Sequence, residues 1–325
     1  MLLRTLFALA SPAGASARLS VLIFHRVLPE PDPLFAEEMH AARFDTVCRW
    51  LAAWFNVMPL DAAVAALQRR SLPARALAIT FDDGYADNAQ VAMPILRHHG
   101  LSATFFVATG FLDGGCMWND RVIEAVRRTR ASVLDLQDGA VPRGGRYPLD
   151  TLSARRAAID AVIGGLKSLP PDERLAGAAE VTRRAGVEPP RGLMMTSDEV
   201  RALHRGGMQV GAHTVSHPIL ARLDAARAVE EIGGSKRCLE QLLQAPVTTF
   251  AYPNGKPGDD FTPANREQVR RLGFVAAVST AWGSASARTD PLLIPRFTPW
   301  DTNGLKFGAR MLRNLRVDAA GAQAA

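Results

Sequence analysis

Apolar positions along this chain fall into short β-type runs separated by stretches of helical spacing. "RLSVLIFHRV" (18–27) predicts a buried strand. A loop follows at "EPDP". Residues 41–54 then set Phe44, Val47, Cys48, Leu51 and Trp54 on one helical face. "FNVMPL" predicts a second strand, 61–70 a helix and "ALAITF" a third strand. "NAQVAMPILRHHG" predicts a helix ending at Gly100, and "SATFFVATGF" a fourth strand. Strands alternating with helices argue for a parallel sheet with helical crossovers.

The rhythm breaks from about 120 to 190. That stretch is rich in Arg and Ala, is helical in pattern, and carries a Gly/Pro loop at "GAVPRGGRYP". It reads as an inserted helical segment, not a separate enzyme domain. The alternation resumes at "MTSDEVRALHRGGMQVGAHT", where Thr196 and Glu199 form a capping box and the strand ends at a histidine. "AARAVEEIGGSKRCLEQLL" predicts an amphipathic helix, "VTTFAYPNG" a strand and turn, "REQVRRLGFVAAVST" a helix and strand, and "LLIPRF" the last strand. The expected fold is α/β: one deformed (β/α) barrel of seven or eight units over 18–303. A segment, 1–17, precedes it, and a basic amphipathic tail, 304–325, follows.

In such a barrel, polar residues at the C-terminal ends of strands face one shared mouth. His25 ends the first strand, Asp82 and Asp83 the third. His213 and His217 follow another, Tyr252, Pro253 and Asn254 end the next, and Arg296 lies in the last. Two adjacent carboxylates repel, so "ITFDDGYADN" (79–88) calls for a turn in water or a cation. "HTVSH" sets two histidines four apart, which on a helical turn lets both imidazoles reach one ion. Two histidines and a carboxylate form a catalytic-metal set with open positions. One acid of the pair would ligate, and its neighbour would stay ionised as a base.

Composition narrows the partners. The chain has 325 residues, 48% hydrophobic and 22% charged, an ordinary globular balance. Cys48, Cys116 and Cys238 are odd in number and lack metal spacing, which argues against a disulfide framework or a Cys-rich zinc site. The net charge of +6 comes from scattered arginines with no nucleic-acid-binding module, leaving an acidic polymer or an anionic membrane surface as partners. In "MLLRTLFALASPAGASA", Arg4 interrupts the apolar core, so a short helix is expected there in place of a cleaved leader. That favours a cytoplasmic or inner-membrane-peripheral location over a periplasmic one. No apolar run is long enough for a transmembrane helix. The C-terminal "GLKFGARMLRNLRV" is basic and amphipathic, suited to packing on the barrel or to peripheral membrane contact.

"TFDDGYADN", "GAHTVSHPIL" and "FAYPNGK", in that order, resemble the polysaccharide deacetylase family, also called NodB-homology or carbohydrate esterase family four. The resemblance implies a deformed (β/α) barrel that removes acetyl groups from N-acetylated sugars. It implies Asp82 as catalytic base, Asp83, His213 and His217 as metal ligands, and the Tyr252 backbone N–H as an oxyanion donor. The ligands suit one divalent ion, zinc first, with cobalt, nickel or iron also fitting.

Two departures stand out. Many members carry a general-acid histidine on a late strand, but this chain has no histidine after His217. "SVLIFHR" supplies the pattern at the front instead, as in the permuted poly-N-acetylglucosamine deacetylases, so His25 is the expected acid. Many members also place an arginine before the third motif to orient the catalytic aspartate. Here Arg296 or Lys256 could substitute, and Arg296 is favoured because it sits on a strand. The substrate expected is an N-acetylglucosamine-containing exopolysaccharide or its precursor. An amidase or esterase for another acylated sugar or small molecule, and a silent carbohydrate-binding barrel, are the alternatives.

Overall fold

The computed structural model describes residues 2–137, 141–142 and 144–317. The chain opens with α1 (Leu2–Ala10), β1 (Ser20–Phe24), α2 (Ala41–Trp54), β2 (Asn56–Val57), α3 (Leu60–Gln68) and β3 (Ala76–Phe81). Then come α4 (Met93–His98), β4 (Thr104–Val107), α5 (Trp118–Arg128), β5 (Val133–Asp135), β6 (Arg146–Pro148), α6 (Leu152–Leu166) and α7 (Pro171–Arg184). The final stretch holds α8 (Ser197–Arg205), β7 (Gln209–Ala212), α9 (Ala225–Leu243), β8 (Thr249–Ala251), α10 (Pro263–Arg271), β9 (Ala276–Val278) and α11 (Gly304–Arg316).

The chain divides into two compact units. One comprises Met1–Glu30, Met39–Leu112 and the part from Met195 onward; the other comprises Pro31–Glu38 and Asp113–Met194. The first unit carries the expected deformed barrel. Its parallel sheet runs β1-β3-β4-β7-β8-β9, with β2 alongside β3. "LLIPRF" is not a regular strand, because Pro295 has no N–H to give to a ladder. The segment instead crosses from one sheet edge to the other. Ile294 exchanges hydrogen bonds with Ala277 and Ser279 of the β9 edge, and Phe297 does so with Val21 and Ile23 of β1. That crossing closes the curl. "FNVMPL" is likewise reduced to the two residues of β2.

Alternation along the strands makes two cores. Leu22, Phe24, Leu77, Ile79, Phe81, Phe105 and Phe250 face outward and pack beneath α2, α8, α9 and α11. Val21, Ala78, Phe106, Ala251, Val278 and Ile294 fill the interior, together with Leu60, Val64 and Leu67 of α3. Gly211 is required inside. A Cβ there would lie 2.5 Å from the Phe106 ring and 2.7 Å from Thr249 Oγ1. The helix expected at "NAQVAMPILRHHG" begins as a π-helical turn, Asn88–Ala92, and becomes regular only at Met93. Pro94 follows directly, in the first regular turn of α4.

The second unit is helical as expected, with one addition. Around the Gly/Pro loop the chain forms an antiparallel hairpin, β5 with β6. Helices α5, α6 and α7 enclose Val122, Val126, Leu134, Ile159, Val162 and Val181. Residues 31–38 are tied to this unit by Asp32, which accepts a two-pronged pair of bonds from Arg127 at 2.8 and 2.7 Å. Of the expected tail, 304–316 is α11, whose Phe307, Met311 and Leu315 are buried; 318–325 lies outside the described residues.

Candidate active site

Strand parity explains which side chains reach the mouth. Ala78, Thr80 and Asp82 share one face of β3 and its extension; Val21, Ile23 and His25 share one face of β1. The parallel register pairs Phe24 with Phe81, and the Asp82 N–H donates to the Phe24 carbonyl at 2.9 Å. His25 and Asp82 therefore stand side by side at adjoining strand ends. Gly211 and His213 follow the same rule on β7, as do Ile294 and Arg296 on the crossing segment.

Arg296 grips Asp82 with both prongs of its guanidinium, NH1 to Oδ1 and NH2 to Oδ2, each at 2.7 Å. Both side chains are buried. Two further Arg296 donors go to the Ser279 carbonyl at 3.0 Å and Thr80 Oγ1 at 3.2 Å. Burial is the largest single influence and works to raise the Asp82 pKa, but the Arg296 charge, the neighbouring histidines and the Arg296 hydrogen bonds together outweigh it and hold the carboxyl below its ordinary range. Lys256, the other candidate, is exposed and pairs with Asp259.

Asp83 turns away from its neighbour because it adopts a left-handed backbone, φ 77°, followed by Gly84 at φ 89°. A non-glycine residue there is strained, which is typical of functional turns. Asp83 Oδ1 lies 3.4 Å from His213 Nε2 and 3.5 Å from His217 Nε2. One ligand atom from each of the three residues falls within 4.8 Å of the other two. Oδ1 is buried and has no hydrogen-bond partner among the described residues. An orphaned carboxylate oxygen facing two imidazole nitrogens is what a cation site requires. His213 Nδ1 donates to the Ala251 carbonyl at 2.8 Å, which leaves Nε2 directed at the cluster.

Electrostatics agree. Burial opposes ionisation of Asp83, yet the two histidines outweigh it and keep its pKa well below the usual range. Burial pushes the His217 imidazole down to about 4, so its lone pair is free at neutral pH. Burial also disfavours the charged form of His213, but Asp83 and Asp82 outweigh that and raise its pKa. A bound cation would take the place of that proton.

The two histidines do not meet on a helical turn, as their spacing suggests. They meet through a loop in which Thr214 (φ 65°) and His217 (φ 54°) are both left-handed. Thr214 Oγ1 accepts from the His217 N–H at 3.1 Å. Glu231 of α9 braces the loop, accepting from the N–H groups of Val215 (2.9 Å) and Ser216 (2.8 Å) and from Ser216 Oγ (2.6 Å). Nothing in the sequence marked Glu231, which is one acid among several on an amphipathic helix.

His25 is exposed at the mouth, not packed in the core. Two residues of the 79–88 stretch, to which the sequence assigns no role, position its turn. Asn88 Nδ2 donates to the His25 carbonyl at 2.8 Å. Asp87 accepts from Arg26 Nε at 2.8 Å and from the Val27 N–H at 2.9 Å. Burial dominates at Asp87 and raises its pKa despite these bonds.

Tyr252 does not fit its expected place. Its side chain has outward parity with Phe250, stacks on Phe261 at 3.7 Å and donates its hydroxyl to the Leu292 carbonyl at 3.2 Å. Its N–H is a ladder donor to the Val278 carbonyl at 3.2 Å, so it is committed within the sheet. Asn254, two residues on, is exposed at φ 57°, and its N–H has no acceptor among the described residues.

Comparison with known proteins places these observations. The family model for polysaccharide deacetylase matches residues 69–134 and 176–277, about half of the chain. YxkH of Bacillus subtilis (strain 168), which carries the name of a polysaccharide deacetylase, is 29% identical over 272 residues, 83% of this chain and 67% of its own. Among solved structures, the Streptococcus pyogenes deacetylase PplD in complex with acetate matches with a TM-score of 0.60 at 18% identity, over 93% of this chain and 99% of that one. IcaB from Ammonifex degensii matches with a TM-score of 0.54 at 18% identity, over 94% and 99%. These structural likenesses concern the fold.

Proposed function

The chain belongs to the polysaccharide deacetylase family, and from that premise we propose that it is a metal-dependent hydrolase removing N-acetyl groups from an N-acetylglucosamine-containing exopolysaccharide or its precursor. The observation carrying this reading is the orphaned Asp83 Oδ1 between His213 and His217, next to an arginine-clamped Asp82. Asp83, His213 and His217 would hold a divalent ion, and their carboxylate and imidazole donors suit zinc, cobalt, nickel or iron alike. Such an ion supplies acidification of water and polarisation of an acyl oxygen.

The protein's own groups account for the proton transfers. Asp82 is ionised and fixed in orientation by Arg296, so one carboxylate oxygen can accept a proton from the attacking water. The electron pair of the water oxygen forms the new bond to the amide carbon, and the C–N bond breaks afterwards. His25, exposed beside Asp82, delivers a proton to the departing nitrogen, which cannot leave as an amide anion. With the Tyr252 N–H committed to the sheet, the uncommitted N–H of Asn254 is the backbone donor for the developing oxyanion. The N-acetylglucosamine part of the reading rests on the acid standing on the front strand, the arrangement of the permuted deacetylases that the sequence resembles.

The test is acetate release from β-1,6- and β-1,4-linked N-acetylglucosamine oligomers by protein loaded in turn with each metal, with Asp82→Asn as control. Release that disappears in the control supports the reading and ranks the linkages. Metal binding without release from any oligomer would overturn the substrate class.

A further inference from the structure

We propose that the outer wall built by α1 and α11, with Trp282 and Trp300, docks on an anionic lipid bilayer. Helix α1 is apolar on two faces. Leu3 and Phe7 pack against the core, while Leu2, Leu6 and Leu9, spaced as one helical stripe, are 74%, 38% and 75% exposed. Helix α11 lies against α1, and a Cβ on Gly308 would come within 2.9 Å of Leu3. It buries Phe307, Met311 and Leu315 and leaves Leu305 73% exposed. Trp300 and Trp282 flank Phe297 at 6.1 and 6.3 Å and are both substantially exposed. Arg310 lies over the Trp300 ring at 4.2 Å and Arg313 over the Trp282 ring at 5.8 Å.

Charge decides the occupant. Neither helix contains an acidic residue. Arg310 pairs with Asp301 at 3.2 Å, but Arg4, Lys306, Arg313 and Arg316 have no carboxylate partner among the described residues. A second copy of the chain would cover the leucines while setting like charges against each other. A glycan could stack on the tryptophans but has no use for the leucine stripe. A bilayer with anionic headgroups uses all three: leucines at the acyl boundary, tryptophans at the interface, cations at the phosphates. No described helix is long and apolar enough to cross a membrane, so the contact would be peripheral.

The experiment is co-sedimentation of the full chain with vesicles of phosphatidylcholine alone and of equal parts phosphatidylcholine and phosphatidylglycerol. Two variants accompany it: Lys306→Gln/Arg313→Gln/Arg316→Gln and Leu2→Gln/Leu6→Gln/Leu9→Gln. Thermal melts confirm that both variants fold. The expected result is salt-sensitive binding to the anionic vesicles only, with a blue-shifted tryptophan emission. The charge variant should bind about 100-fold more weakly, and the leucine variant should also be weakened. Three results would overturn the proposal: no binding to anionic vesicles, equal binding to both compositions, or binding kept by both variants. Self-association abolished by the leucine variant would do so too, assigning the face to a second copy. None of these readouts depends on the enzymatic reading.

Discussion

Arg296 holds Asp82 through two parallel 2.7 Å hydrogen bonds, with both side chains buried at the inner wall of the barrel. The two residues are far apart in sequence. They meet because the crossing segment 294–297 closes the sheet between β9 and β1 and turns Arg296 inward. Closure of the barrel and orientation of the candidate base are therefore one structural event.

Breaking that pair should be costly in a particular way. Arg296→Gln leaves a buried carboxylate uncompensated, with an expected loss of about 3–5 kcal/mol in stability. Acetate release should fall by about 100-fold or more, because Asp82 loses its aim. Adding Asp82→Asn to that variant should recover much of the stability and none of the activity, since the cost comes from the orphaned charge. Urea unfolding and acetate assays check both parts. An Arg296→Gln protein as stable and active as the parent would sink the claim.

The candidate metal ligands predict a stabilisation that can be read without substrate. Zinc, cobalt or nickel at 100 times Kd should stabilise the protein by about 2.7 kcal/mol, seen as a raised melting temperature and accompanied by proton release. Asp83→Asn and His217→Ala should each abolish the shift. A parent protein whose melting temperature ignores all three ions would rule the site out.

How legible this was in the sequence follows from what each residue depends on. Thr196 and Glu199 are a local cap and form as read, and α2 and α9 follow their apolar spacing to the residue. Period-two alternation places His25, Asp82, His213 and Arg296 inside, because parity is local to each strand. The same parity count would have turned the Tyr252 side chain outward. The "HTVSH" loop departs from the helical turn its spacing predicts because Thr214 and His217 are left-handed and the loop is held by Glu231, sixteen residues away from Val215 in sequence. Asp87 and Asn88 were in plain view, but their partners at His25, Arg26 and Val27 exist only once β1 lies beside β3. The β5–β6 hairpin was hidden by short strands around a Gly/Pro loop.

If Asn88 and Asp87 position His25, then changing them should touch catalysis and spare metal binding. Asn88→Ala removes the bond to the His25 carbonyl, and the expected effect is about a tenfold loss in kcat with KM little changed. Zinc affinity measured by competition with a chelator should stay at the parent value. A loss of metal affinity equal to the loss of kcat would show a general collapse of the mouth instead.

Asp32 offers a pH test in the second unit. Burial opposes its ionisation, but the Arg127 fork and the Leu34 N–H outweigh it and lower its pKa below the ordinary 3.8. A lowered folded pKa gives stability that is fully present above the ordinary value and is lost as pH falls through the folded one. The melting-temperature gap between the parent and Asp32→Asn should therefore be constant from about pH 8 to pH 5 and narrow below about pH 4. A gap that widens on acidification would contradict the assignment.

Glu231 provides the sharpest separation of support from chemistry. It touches no candidate ligand, but its carboxylate accepts three bonds from the loop that carries His217. Glu231→Ala removes all three acceptor bonds, leaves the Val215 and Ser216 N–H groups without them, and loosens the loop. Metal affinity should drop by about 10- to 100-fold, the range for residues that orient ligands without binding metal themselves. Activity should return at saturating metal, because Asp82, Arg296 and His25 are unaffected. Chelator competition gives the affinity, and acetate release across a metal titration gives the recovery. Activity that stays low at saturating metal would mean that Glu231 acts on the chemistry and not through the loop, while unchanged affinity would mean that the loop holds its left-handed turns without it.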